Sequence, residues 1–124
     1  MKKQQIKDDK FRQAIDDLAH AVTFSKEAER DRFYFAGITK SFETCVEYAW
    51  KYFKRLAIDE GLEVYSPKDA IRAAGRLGLI DDVEKWLGFV EDRNLAVHDY
   101  LGVSIDDYMK TIRVFLAEVK KLDV

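Results

Sequence analysis

The fold is decided by residues 35–56, whose sequence is FAGITKSFETCVEYAWKYFKRL. Apolar side chains recur through this stretch at steps of three and four, the spacing that aligns them along one face of an α-helix. They are Phe35, Ile38, Phe42, Cys45, Val46, Ala49, Phe53 and Leu56. Gly61 follows, and glycine is the usual residue just past a helix end. The pattern therefore predicts one long helix, which serves as the spine of the fold.

Helical patterns also flank the spine on both sides. The apolar steps before it predict a first helix over residues 6–28. After it, Ser66 supplies a capping hydroxyl, Pro67 suits the first helical position, and Asp69 favours the positive end of a helix. These signals predict a short third helix that stops near residues 75–78, where two glycines lie.

Two further helices complete the chain. Asp81, followed three residues later by Glu84, is a start signal for a fourth helix. Ser104 and Asp107 open a fifth, which carries the most regular apolar stripe of the chain. Short connections between long helices favour antiparallel neighbours. We therefore expect an all-α fold: an antiparallel up-and-down four-helix bundle plus one short helix.

The composition is typical of one helical domain. The chain has 124 residues, 48% of them hydrophobic and 35% charged, with a single proline. Its first residues lack the apolar run of a signal peptide, and no stretch approaches the length of a membrane span. Cys45 is the only cysteine, which predicts a small buried side chain in a reducing compartment. We expect a cytoplasmic location and no membrane partner.

Neither a metal ion nor a cofactor is predicted. His20 and His98 are far apart in the chain, and no cysteine pair or closely spaced histidine pair supplies ligands. We interpret His20 as an exposed residue of the first helix. The formal net charge of −2 counts against extended nucleic-acid binding, DNA included, because such binding draws on an excess of Lys and Arg. A local site for a nucleotide or for RNA remains open.

Large aromatic residues lie largely off the core stripe of the spine helix. They are Tyr34, Tyr48, Trp50 and Tyr52. Tyrosine and tryptophan supply contact area at low entropy cost, so a second aromatic face favours a partner surface. We predict a homodimer through this helix. The alternative, in which these side chains cover the rim of the bundle, stays open.

The segment GFVEDRNLAVHDYLG, residues 88–102, departs from the pattern of an ordinary bundle. The seven-residue step from Trp86 reaches Arg93, at a position where packing favours leucine. A buried guanidinium keeps its charge and needs an anionic partner. Tyr100 lies seven residues further on, and His98 lies five further on, about 140° around an ideal helix. Arg93, His98 and Tyr100 are therefore the candidate functional residues.

A purely structural interpretation of this segment stays open as well. Arg93 pairs in that case with Glu91, with Asp92 or with a carboxylate on another helix, because structural ion pairs are far more frequent than active sites. His98 then caps the helix end, and Tyr100 belongs to the core.

The motif Arg93-Asn94-x-x-x-His98-x-Tyr100 resembles the signature of the HEPN family. Three further blocks are similar to the subfamily called nucleotidyltransferase substrate-binding proteins. They span residues 42–51, 66–72 and 78–82. With the motif, they extend the resemblance over most of residues 6–120.

The resemblance implies a single HEPN-like helical domain over residues 1–124, a four-helix bundle, a homodimer, and a minimal nucleotidyltransferase on a separate chain. It also implies two functions of different classes. In the first, the protein is the nucleotide- or substrate-binding subunit of a split transferase, and Arg93, Asn94 and His98 hold the nucleotide phosphate.

In the second, the protein is a metal-independent ribonuclease toxin of a toxin–antitoxin pair. His98 removes the ribose 2′-OH proton, and Arg93 stabilises the charge that develops at phosphorus. Asn94 orients the phosphate or the histidine. Tyr100 is the hydroxyl to which the partner attaches nucleotides, and the adduct neutralises the toxin.

The acidic net charge slightly favours the binding function over the cleavage of RNA. A dimer offsets this acidity if it brings two copies of Arg93 into one cleft, together with Lys51, Lys54 and Arg55. Cleavage of RNA and binding of a nucleotide therefore both remain open.

Overall fold

The computed structural model describes residues 7–98 and 104–124, the side chains of residues 95–98 excepted. These ranges contain six α-helices and no strand, which confirms the all-α class. The helices are α1 (Asp9–Ala21), α2 (Ser25–Arg30), α3 (Arg32–Asp59), α4 (Pro67–Arg76), α5 (Val83–His98) and α6 (Ile105–Val119). The antiparallel up-and-down order stays a prediction. None of the described helices is both long and apolar enough to span a membrane.

The single first helix predicted over residues 6–28 is wrong, because the segment is divided. A 3₁₀ turn, Val22–Phe24, separates α1 from α2. In that turn the Thr23 hydroxyl donates to the His20 carbonyl oxygen at 2.6 Å, a local bond that competes with the regular helical ladder. Asp31 then adopts an extended backbone and caps α3 by accepting the Phe33 N–H at 2.9 Å.

The predicted spine is confirmed as α3, which packs against α1, α2, α4, α5 and α6. Its predicted stripe is buried from Ile38 to Leu56, while Phe35 is only half-buried. Cys45 is fully buried, and burial raises the pKa of its thiol to about 12. It therefore behaves as the small apolar side chain that the sequence predicts.

Tyr52 was predicted to lie off the core stripe, and this is wrong. It is only 3% exposed, because α1 covers this side of α3. Its ring centroid lies 5.3 Å from that of Phe11, and its hydroxyl is 3.4 Å from the Asp123 carbonyl oxygen. The other three aromatics of the predicted second face, Tyr34, Tyr48 and Trp50, are half-buried.

The predicted helix starts are correct at two positions and one residue off at a third. The Ser66 hydroxyl accepts the Asp69 N–H at 3.1 Å, and the Ser104 hydroxyl accepts the Asp107 N–H at 3.3 Å. At α5 the capping side chain is Asp82, which accepts the Lys85 N–H at 3.0 Å, and not Asp81. Asp82 occupies the cap because α5 begins at Val83.

In the part of the chain that the structure describes, the two glycines that follow a helix end, Gly61 and Gly78, have positive φ. Gly61 ends α3 with φ 84°, and Gly78 follows α4 with φ 73°. At α4 the Leu79 N–H donates to the Ala74 carbonyl at 2.9 Å, and the Gly78 N–H donates to the Gly75 carbonyl at 3.1 Å. This paired arrangement satisfies carbonyls at the helix end, and it requires a left-handed residue at the glycine.

We expect Gly78→Ala to lower the free energy of unfolding by about 1–2 kcal/mol, because an L side chain in the left-handed region is strained. No neighbour lies within 4 Å of the added Cβ, so the effect reports backbone strain alone. Gly37→Ala, inside α3 and equally free of neighbours, is the matched control, and it should stabilise by about 0.5–1 kcal/mol. Urea unfolding measures both. Equal effects of the same sign would contradict this explanation.

A cluster of aromatic rings fixes α5 and α6 against α3. The Phe115 ring of α6 lies with its centroid 5.3 Å from Phe42, 5.6 Å from Trp86 and 5.1 Å from Phe89. These contacts are edge to face, the arrangement that ring quadrupoles favour. Because Trp86 and Phe89 belong to α5, this cluster sets the position of the helix that carries the predicted site.

Candidate functional site

Arg93 lies in the second half of α5, one turn beyond the last ring of the aromatic cluster. Phe89 and Val90 are buried beneath it, at 4% and 5% exposure. The Arg93 side chain itself remains 27% exposed. The predicted step from Trp86 thus leads to the edge of the core, where part of the Arg93 side chain is exposed.

The guanidinium is oriented by oxygen atoms from two helices. Its Nη2 lies 2.8 Å from Oε1 of Glu47 on α3, and its Nη1 donates to Oδ1 of Asn94 at 3.2 Å. Hydrogen bonds between ionised groups are stronger than neutral ones. Of the alternatives for Arg93, pairing with a carboxylate on another helix is the one that the structure contains.

The two carboxylates that precede Arg93 have other partners. Glu91 lies 3.2 Å from Nζ of Lys68 on α4. Asp92 is hydrogen-bonded to Thr111 of α6, and burial, with a further contribution from Glu91, raises its pKa despite that hydrogen bond. Both residues therefore hold α5 to its neighbours and leave Arg93 to Glu47.

Both α3 and α5 carry buried polar atoms that have no hydrogen-bond partner among the described residues. Nε of Arg93 and Oε2 of Glu43 have no partner among the described residues. Glu43 precedes Glu47 by one turn of α3. A buried polar atom without a partner is costly, and water or a bound ligand commonly supplies one. The Arg93 guanidinium therefore has hydrogen-bonding capacity that its protein neighbours leave unused.

His98 is the last residue of α5, and its side chain lies outside the described residues. The prediction for Tyr100 falls wholly outside them. The roles assigned to Arg93, Asn94, His98 and Tyr100 therefore stay predictions. His20 is exposed on α1, as expected. Among the side chains that the structure describes, no group of three His, Cys, Asp or Glu residues is arranged to hold a metal ion.

Glu47 is the site residue that the sequence argument missed. Its spacing of four from Lys51 signals a salt bridge along α3, which the structure contains at 3.6 Å. Its second contact, with Arg93, depends on how α3 and α5 pack. One carboxylate therefore joins the predicted arginine to a lysine on the spine helix.

A separate groove of about 610 Å³ lies between α1 and the start of α3. Its aromatic lining includes Phe24 and Tyr34, stacked at 5.7 Å, and the 79% exposed Phe33. Neither Arg93 nor Glu47 lines it. This apolar groove is therefore distinct from the predicted site.

Comparison with known proteins assigns the family. Residues 7–124 match the family described as nucleotidyltransferase substrate binding protein like. The chain belongs to this family. One relative is the probable ribonuclease HepT of Haemophilus influenzae, which is 29% identical to this chain over 98 aligned residues. The alignment covers 69% of this chain and 67% of the relative. Both matches confirm the resemblance to the HEPN family and to its nucleotidyltransferase substrate-binding subfamily.

Proposed function

We propose that this member of the family is a metal-independent endoribonuclease in which Arg93 and His98 form the catalytic pair. The observation that carries the proposal is the orientation of the Arg93 guanidinium. Glu47 and Asn94 hold it at the edge of the core, yet its side chain stays 27% exposed. A pre-oriented cation on the same helix as a histidine suits attack at a phosphodiester. The name of the Haemophilus relative, probable ribonuclease, also supports this choice.

The reaction needs one base and one stabilising cation. His98 takes the proton from the ribose 2′-OH, and the freed oxygen attacks the adjacent phosphorus. The bond from phosphorus to the 5′-oxygen breaks, that oxygen takes a proton from water, and the hydroxide so formed removes the proton from His98. The products are a 2′,3′-cyclic phosphate and a 5′-hydroxyl end. Arg93 binds the phosphoryl oxygens as their negative charge increases, and Asn94 steadies the guanidinium.

A second candidate function is binding without cleavage. The family description, nucleotidyltransferase substrate binding protein like, favours it. The protein is then the nucleotide-binding subunit of a separately encoded minimal nucleotidyltransferase. Arg93, Asn94 and His98 hold a phosphate, and no bond is made or broken at this site. The homodimer belongs to both functions, and light scattering at micromolar concentration tests it.

Cleavage of 5′-labelled single-stranded RNA in EDTA tests the ribonuclease proposal. We expect fragments that end in a 2′,3′-cyclic phosphate, which acid treatment opens to a 2′- or 3′-phosphate. His98→Ala, purified identically, should give no fragments, and this excludes a contaminating nuclease. Absence of cleavage by the unaltered protein would overturn the proposal and favour the binding function.

Tyr100 is proposed as the residue that the partner transferase modifies. When that enzyme is co-expressed and ATP is present, we expect the mass of the protein to increase by that of the attached nucleotide. Tyr100→Phe should abolish the addition, because the acceptor hydroxyl is lost. Intact-protein mass spectrometry measures both. Tyr65→Phe removes a hydroxyl from an 80% exposed tyrosine and should leave the adduct in place. An adduct that persists on Tyr100→Phe would exclude this residue.

A further inference from the structure

The turn of α3 that carries Lys51, Lys54 and Arg55 has a basic face opposite the core stripe. Its side chains recur at steps of three and four and, with the start of α1, line a groove of about 410 Å³. The charged and ring-bearing residues of the groove include Asp8, Lys10, Trp50, Lys51, Lys54 and Arg55. Four of these are cations and one is an acid, in a chain whose net charge is −2. Positive charge is therefore concentrated at this groove.

The cations of the groove differ in how far they are already paired. Nη2 of Arg55 lies 2.6 Å from Oδ2 of Asp8. Lys51 is 3.6 Å from Glu47, with 61% of its side chain exposed. Lys10 and Lys54 form no ion pair with any residue in the described ranges. The two lysines are thus available to an external anion.

Trp50 adds a flat apolar surface between these charges. It is half-buried and packs against the core, which holds its ring in place. Nζ of Lys51 lies 5.9 Å from the ring centroid. Aromatic rings beside cations are the usual platform for single-stranded nucleic acid, because a base stacks on the ring while the cations meet phosphates.

The groove lies next to the predicted site, although neither Arg93 nor Glu47 is among its lining residues. Glu47 contacts Arg93 through Oε1 at 2.8 Å and Lys51 through Oε2 at 3.6 Å. The width of one carboxylate therefore separates the arginine from the first lysine of the groove. A polyanion bound at Arg93 has a row of cations next to it.

We propose that this groove binds the strand of RNA that flanks the cleaved bond, with phosphates at Lys10, Lys51 and Lys54 and one base stacked on Trp50. The identity of the ligand as RNA rests on the proposed function. The ligand is single-stranded, because a base within a duplex is already stacked and unavailable to the ring. The groove supplies the local positive charge that the composition of the whole chain lacks.

A second copy of the chain is a poorer occupant of this surface. A two-fold interface places the same patch on both subunits. Cations of one groove would then approach those of the other, and like charges at an interface are unfavourable. The charge of the groove therefore favours a polyanion, and the homodimer predicted through α3 has to leave this groove, Trp50 included, open to it.

The test is binding of a fluorescent 2′-O-methyl RNA, which cannot be cleaved because its 2′-oxygen carries no proton. We expect Lys10→Gln/Lys54→Gln to weaken binding about 10-fold to 30-fold at 0.1 M salt and to reduce the slope of log K against log salt by about 1.4. Lys26→Gln/Lys120→Gln makes the same charge change at exposed positions outside the groove and should bind like the unaltered protein. Equal loss in both pairs would overturn the proposal.

Stacking is tested separately at Trp50. We expect Trp50→Leu to weaken binding about 5-fold to 100-fold, while Trp50→Phe, which keeps a ring, restores most of it. A Trp50→Phe protein as weak as Trp50→Leu would contradict stacking. If the lysine variants instead dissociate an oligomer in light scattering, the groove is a protein interface and the proposal fails. These readouts do not depend on cleavage, so they stand even if the protein proves to be no ribonuclease.

Discussion

Arg93→Ala is expected to lower kcat/KM for RNA cleavage by about 10²-fold to 10³-fold, the usual effect of removing one donor that stabilises developing negative charge. The fold should tolerate the change. Glu47, left without the arginine, is 32% exposed and keeps Lys51 at 3.6 Å. The free energy of unfolding should therefore change by only about 1 kcal/mol or less. Initial rates on labelled RNA and urea unfolding measure the two quantities.

Two further variants serve as controls for the Arg93→Ala measurement. Arg93→Lys keeps the charge but loses the planar donor geometry, so we expect partial activity between that of the alanine variant and that of the unaltered protein. Arg72→Ala removes an arginine that is also paired, 3.5 Å from Asp69 on α4, and it should leave cleavage unchanged. Equal losses at Arg72 and Arg93 would show a general charge effect and would remove Arg93 from the chemistry.

Phe115→Ala is expected to cost about 3–5 kcal/mol of unfolding free energy, as large-to-small changes at fully buried aromatic positions do. Phe115 is 0% exposed and contacts Phe42, Trp86 and Phe89. Its removal leaves a cavity between α3, α5 and α6. Urea unfolding followed by circular dichroism measures the loss.

The neighbouring residue Val114 is the matched control, because it lies on the same helix at 44% exposure. Val114→Ala should change the unfolding free energy by about 0.5 kcal/mol or less. A loss below about 1 kcal/mol for Phe115→Ala would mean that the rings of α5 and α6 repack without it. The position of Arg93 would then depend on other contacts.

Local signals predicted much of the fold. Ser66 and Ser104 were recognisable as caps, and Gly61 as a helix stop, because each depends on residues within one turn. The division of the first segment at Val22–Phe24 was missed, because its apolar steps continue without a glycine or proline to interrupt them. The burial of Tyr52 was missed for another reason: it depends on where α1 lies against α3.

The same distinction between local signals and contacts made by packing applies to the candidate site. The spacing of Arg93 and its need for an anionic partner were evident from the chain. The identity of that partner was not, because Glu47 is 46 residues away and no local pattern relates the two. The groove beside it was foreseen only as a set of cations on α3; Lys10 joins it through the packing of α1.

Arg93 and Lys51 share the Glu47 carboxylate, so the effect of substituting one of the three residues during evolution depends on the other two. While the arginine is present, Glu47 orients the guanidinium that we propose binds phosphate. A relative that lost the arginine but kept Glu47 would place a negative charge beside the same phosphate. Its anion binding should be weaker than that of a relative with no charged side chain at either position. Substitutions at the three positions should therefore be epistatic, and losing Glu47 together with Arg93 should harm anion binding less than losing the arginine alone.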